Sequence, residues 1–185
     1  MIFLTIGTHE PFERLIRAID EWCGTTPNPP KVFGQITDEG MTHHRPKNFE
    51  AVARMTPKDY NLKFQQSDLI ISHAGMGSIL TALSRGKPIV VMPRRGHLRE
   101  TRNDHQFTTA KHLGDRPNIF VAKDETELPA LLDRTLETLG QHKQAPVSQD
   151  APPQFTAALR EYLMTNTFAP NGIAHGQNGK KSFET

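Results

Sequence analysis

Residues Asp68–Gly86 read DLIISHAGMGSILTALSRG. Leu69, Ile70 and Ile71 form an apolar run that stops at His73-Ala74-Gly75. A run of this kind suits a strand covered on both faces. Gly75 and Gly77 allow a tight turn and a close approach of ligand to backbone. From Ser78 onward, Ile79, Leu80, Ala82 and Leu83 recur at helical spacing, so a helix is expected to begin there. The first N–H groups of a helix lack intrahelical acceptors, and its dipole is positive at that end. The turn therefore reads as an anion site, with phosphate the usual occupant. The plain alternative is a packing turn with no ligand, because glycine suits strand–helix junctions for steric reasons alone.

Two familiar phosphate motifs do not fit. A P-loop places Gly-Lys-Ser/Thr at the helix start, whereas Gly86-Lys87 lies at the far end, before Pro88. The dinucleotide fingerprint needs a third glycine where this chain has Leu80. It also needs an acid at the end of the next strand, where this chain has Met92-Pro93.

The 185 residues suffice for one domain with a tail. Net charge is +2, and no basic, aromatic-rich stripe suggests a nucleic-acid partner. A single cysteine, Cys23, excludes an intrachain disulfide and a zinc–cysteine cluster, and suits a reducing compartment. The opening Met1–Ile6 lacks the charged leader and the length of a signal peptide. No apolar run approaches the roughly 20 residues of a membrane span. A cytoplasmic chain is expected.

Along the chain, Ile2–Ile6 reads as a strand ended by Gly7-Thr8-His9, and a helix is expected from about Pro11 to Trp22. Strands are expected at Lys31–Thr37, Phe49–Ala53, Pro88–Met92 and Asn118–Ala122, and helices at Pro57–Gln66, from Asn103 or Asp104 to Leu113, and over Leu128–Leu139. The alternation implies a Rossmann-like α/β fold, a parallel sheet with helices on both faces. Ligands of such sheets bind beyond the carboxyl ends of the strands, where the turns at Gly7, His73–Ser78 and Pro93–Gln106 converge. This domain is expected over residues 1–140. A polar linker follows over 141–154, a short helix over 155–164 and a disordered tail over 165–185.

The run SHAGMGSI, followed by GKPIVVMPRR and then NDHQ, resembles the C-terminal, donor-binding half of family 28 glycosyltransferases, which have the GT-B fold. It is similar above all to the small subunits of two-part enzymes. These are the cytosolic subunit of the dolichol-linked N-acetylglucosaminyl transferase and the subunits of bacterial exopolysaccharide glycosyltransferases. The opening Thr5-Ile6-Gly7-Thr8-His9, with Phe12 and Leu15, agrees, and the resemblance covers about Ile2 to Leu139.

The resemblance implies an inverting enzyme that binds a UDP-sugar as substrate, without cofactor or metal. Ala74, Gly75, Met76, Gly77 and Ser78 would hold the diphosphate, with His73 beside them. Asp104, His105 and Gln106 would face the sugar, and Gly7 and Thr8 would line the cleft. Larger relatives carry a ribose-gripping glutamate where this chain has Thr81, so Glu100 is taken as a substitute. Arg94 and Arg95 read as a solvated basic loop, with a second role for Arg94 in donor binding, by bidentate pairing with phosphate or with the carboxylate of a uronate donor. The acceptor half, and as a rule the catalytic base, would come from a membrane-anchored partner subunit carrying a lipid-linked acceptor. The chain itself would be recruited to the inner face of the membrane. His9 and His105 are the candidates for a base on this chain. None of the nine histidines shows metal-ligand spacing on one helix. His43 and His44 read as a solvated loop. The rival readings are a non-enzymatic nucleotide-binding regulatory protein, an FMN module and a self-sufficient nucleotide-sugar hydrolase.

Overall fold

The computed structural model describes residues 1–8, 10–37, 44–114 and 116–141, with Ala157 and Arg160 beyond them. His9, His43 and nearly all of the expected linker, terminal helix and tail lie outside the described residues. Residues Met1–Val147 form one compact unit. In the second unit, Ser148–Thr185, Ala157 and Arg160 are helical and exposed.

The strands are β1 (Ile2–Thr5), β2 (Val32–Gln35), β3 (Glu50–Val52), β4 (Leu69–His73), β5 (Ile89–Met92) and β6 (Ile119–Val121). The helices are α1 (Glu13–Thr25), α2 (Pro57–Gln66), α3 (Met76–Ser84), α4 (His105–Leu113) and α5 (Leu128–Thr138). Gln141, expected in the linker, ends a 3-10 turn at Leu139–Gln141. All neighbouring strands pair in parallel, in the order β3-β2-β1-β4-β5-β6.

Alternation along β1 distributes the core. Ile2, Leu4 and Ile6 join Leu15, Ile16, Ile19 and Trp22 of α1 and Leu128 and Leu132 of α5 on one face. Phe3 points the other way, toward Phe64 of α2, Ile79 and Ala82 of α3 and Ala110 of α4. Burial on both faces is why the strands read as unbroken apolar runs.

Local chemistry places most boundaries. Thr56 caps α2 by accepting from the Asp59 N–H, and Pro57 occupies the first turn, so this helix has the expected limits. Helix α3 ends in a Schellman motif: the Gly86 N–H donates to Leu83 O and the Lys87 N–H to Ala82 O. Gly86 has φ 62, the left-handed backbone that favours glycine. Two helix starts differ from expectation. Helix α1 begins at Glu13, because Pro11 and Phe12 are held outside it by contacts with Arg94. Helix α3 begins at Met76 rather than Ser78, because Gly75, with extended φ and ψ, is already its N-cap.

Candidate functional site: a switch-point turn

Strand order reverses direction between β1 and β4, and ligands of open parallel sheets sit outside the carboxyl ends at that point. Thr5 pairs with Ser72, so the turn at Gly7 and the turn at Ala74-Gly75 leave the sheet side by side.

The second turn leads into α3, which has no side-chain cap. The Ala74 N–H donates to Met92 O at 3.2 Å and the Gly75 N–H to His73 O at 2.7 Å. Both were expected among the diphosphate donors, and both are engaged within the protein. The donors open to an anion at this turn are therefore the N–H groups of Met76, Gly77 and Ser78, which a helix start leaves without intrahelical acceptors. Met76 and Gly77 are exposed and Ser78 is partly so.

The two glycines of this turn do different work. A methyl group on Gly75 would collide with the His73 ring, standing 2.8 Å from Cδ2. One on Gly77 would meet no protein atom within 4 Å. Gly75 is thus required by packing. Gly77 lowers helix propensity with no packing need, which fits close approach of a ligand to its backbone.

His73 fills the space between the turns, since a methyl group on Gly7 would also lie 3.3 Å from its Cε1. Burial first, and the Arg94 charge second, push its pKa down to about 4, against a smaller upward pull from a hydrogen bond with the Thr5 backbone. At neutral pH the imidazole is an uncharged spacer.

Gly7, at φ 82, is held from β2. Its carbonyl accepts from Thr37 Oγ1 at 3.1 Å and from Gln35 Nε2 at 3.4 Å. Gln35 also donates to Ala53 O and accepts from Thr5 Oγ1. Sequence reasoning missed Gln35 and Thr37. The available signal was a glutamine closing the otherwise apolar strand VFGQ.

Arg94 is not a solvated loop residue, nor is it placed to meet a donor carboxylate. Its side chain is 3% exposed and donates to the carbonyls of Ile6, Glu10, Pro11 and Glu100. Its guanidinium carbon lies 4.6 Å from the Phe12 ring centroid. With four carbonyls on its two terminal nitrogens, the bidentate edge that a uronate would need is occupied. Glu100 is likewise committed. It pairs with Arg14 through two hydrogen bonds at 2.9 and 2.8 Å and accepts from the Arg95 N–H, so it does not stand in for a ribose-binding glutamate. The Thr81 hydroxyl donates to Gly77 O within its own helix.

The β5–α4 loop supplies the remaining candidates. Asp104 is exposed and accepts from the Gly96 N–H at 2.8 Å, closing the loop instead of standing clear to face a sugar. Gln106 Oε1 accepts from the Arg94 N–H at 3.2 Å. Its amide nitrogen is left to donate to a ligand. His105 is exposed at the start of α4. A surface hollow of about 840 Å³ lies elsewhere, along α1 between Arg17, Trp22, Leu98 and Pro129, and includes no residue of the α3 turn. The case for the site rests on switch-point geometry and free donors, not on concavity. Among the described residues, no three His, Cys, Asp or Glu side chains converge as metal ligands.

The sequence pattern of the glycosyltransferase family 28 C-terminal domain matches residues 1–162. The chain belongs to this family. This family 28 domain is 40% identical over 80 residues to the UDP-N-acetylglucosamine transferase subunit ALG13 of Mus musculus, covering 43% of this chain and 6% of that protein. It is 34% identical over 83 residues to the UDP-N-acetylglucosamine–N-acetylmuramyl-(pentapeptide) pyrophosphoryl-undecaprenol N-acetylglucosamine transferase of Phocaeicola vulgatus, covering 45% of this chain and 21% of that protein. The matches thus span a minor part of these curated relatives. The crystal structure of Acinetobacter baumannii MurG shares the fold, with a TM-score of 0.53 at 20% identity over 76% of this chain and 41% of that one. The family 28 domain has the Rossmann-like architecture of the C-terminal half of a GT-B enzyme.

Proposed function

We propose that this chain is the donor-binding part of a heteromeric, inverting glycosyltransferase and that it binds a UDP-sugar at the β1/β4 switch point. The observation that carries the reading is the uncapped start of α3, which offers the N–H groups of Met76, Gly77 and Ser78 beside the Gly7 turn in a family 28 domain. The relatives' names make UDP-N-acetylglucosamine the first donor to test.

In the reaction, an acceptor hydroxyl oxygen forms a bond to the anomeric carbon while the bond from that carbon to the diphosphate oxygen breaks. The electron pair leaves on the diphosphate, and the acceptor proton passes to a base on the acceptor-binding chain. Negative charge grows on the departing diphosphate, and the α3 N–H groups and helix dipole stabilise it there. Gln106 supports the sugar as a donor through its amide nitrogen. The acceptor is a lipid-linked saccharide presented by a membrane-anchored partner, and exopolysaccharide synthesis is the process that suits such a pair. Among the described residues no helix is long and apolar enough to cross a membrane.

Calorimetric titration with UDP and then with a panel of UDP-sugars tests the reading. Binding of UDP with discrimination among sugars is expected. No binding of any UDP compound, with or without the acceptor-binding chain, overturns it. UDP binding without transfer by the reconstituted pair would favour a regulatory nucleotide-binding protein.

A further inference from the structure

We propose that Arg94 is a positioning residue of the donor site: it fixes the β1–α1 turn that carries Gly7 and Thr8 against the loop after β5, and touches no ligand itself. The proposal rests on the donor-site reading of the switch point.

The carbonyls that Arg94 ties together lie far apart in the chain and outside regular structure. Ile6 follows β1, Glu10 and Pro11 precede α1, and Glu100 lies in the β5–α4 loop. The hydrogen bonds to Pro11 and Glu10 are 2.6 and 2.7 Å long, and those to Ile6 and Glu100 are 2.8 and 3.1 Å. The fork is seated over the fully buried Phe12, the N-cap residue of α1, so the turn is clamped from strand end to helix start.

Among the described residues, no carboxylate pairs directly with this guanidinium; Glu10 and Glu100 meet it through their carbonyls and act on it by charge at longer range. Burial pushes its pKa down to about 10, which leaves it charged at neutral pH. Carbonyl dipoles offset the cost of burying this charge, and removing the side chain would leave four carbonyls without their donor. Its distinctive property is the planar fork, which sets the relative place of the groups it bonds. The charge of the same side chain reaches His73, the spacer between the Gly7 and Gly75 turns, and lowers its pKa.

The test compares the full chain with Arg94→Lys, which keeps a charge but not the fork, and Arg94→Met, which keeps the stem alone. Amide hydrogen exchange, UDP affinity by calorimetry and the NMR titration of His73 are measured on each. Exchange at residues 6–11 is expected to rise at least about tenfold in Arg94→Lys with β4 and β5 amides unchanged. UDP affinity is expected to fall at least about tenfold, because displacement of site groups by an ångström is costly. His73 should stay near its wild-type titration in Arg94→Lys and titrate at higher pH in Arg94→Met, where the neighbouring charge is gone.

Weakened UDP binding with unchanged exchange at residues 6–11 would mean direct ligand contact and overturn the proposal. Faster exchange throughout the sheet, with UDP affinity kept within about twofold, would mean a merely structural role and overturn it too. If Arg94→Met does not fold, Arg94→Lys decides. If the wild-type chain binds no UDP even with its partner, the donor-site reading fails by itself, and local exchange in Arg94→Lys still decides whether the fork fixes the turn.

Discussion

Gly75 and Gly77 are two residues apart and alike in sequence, yet substitution separates them. Gly77→Ala places a methyl group in open space on the first turn of α3, so the fold should gain up to about 1 kcal/mol of helix propensity. UDP affinity should fall about tenfold as the methyl group meets the incoming phosphate. Thermal unfolding and calorimetry on one variant check both signs. Gly75→Ala is expected to destabilise the protein by displacing His73, so it is not a clean probe of binding. His73 makes stability depend on pH. Its pKa is lowered from 6.5 in the unfolded chain to about 4 in the folded one, so between these values the unfolded chain binds the proton more readily. The stabilisation is complete above about pH 6.5 and is lost as pH falls toward 4, approaching about 3 kcal/mol. Urea unfolding at pH 7.5 and 4.5 should show this loss in the wild type and a smaller one in His73→Asn.

Between elements, residues 44–48, which lead into β3, are tied to α1 by one carboxylate. Asp20, 4% exposed, accepts from the Lys47 and Asn48 N–H groups at 2.9 and 2.8 Å and contacts His44 Nε2 at 2.9 Å. His44 was expected in a solvated loop and is instead a partner of this carboxylate. Asp20→Ala removes these hydrogen bonds and should destabilise the fold by about 1–3 kcal/mol, read from urea midpoints at pH 7. The caps of α2 and the Gly86 stop of α3 were legible because their chemistry lies within a few residues. The start of α1 was not, because what holds Pro11 outside the helix is Arg94, 83 residues away.

At the scale of the whole molecule, the proposed function puts one wall of the crevice on this chain and the other on an acceptor-binding chain. The isolated chain should give no transfer from UDP-N-acetylglucosamine to a polyprenyl-diphosphate-linked saccharide, while the reconstituted pair should, as a radiolabel assay would show. Transfer by the isolated chain would refute the division of labour. Apolar period, glycine punctuation and helix stops are local properties, so the sequence by itself established the alternation of strands and helices, the parallel class, and the strand–turn–helix over 69–84. Tertiary structure settled which donors remain there and what the charged side chains do. Arg94 reads as a surface arginine until the fold brings Ile6, 88 residues away, against its guanidinium. Glu100 reads as a free acid until Arg14, 86 residues away, takes both of its oxygens. A backbone turn is written in its own residues, whereas the task of a charge is set by which distant carbonyls and carboxylates the folded chain places within hydrogen-bond reach.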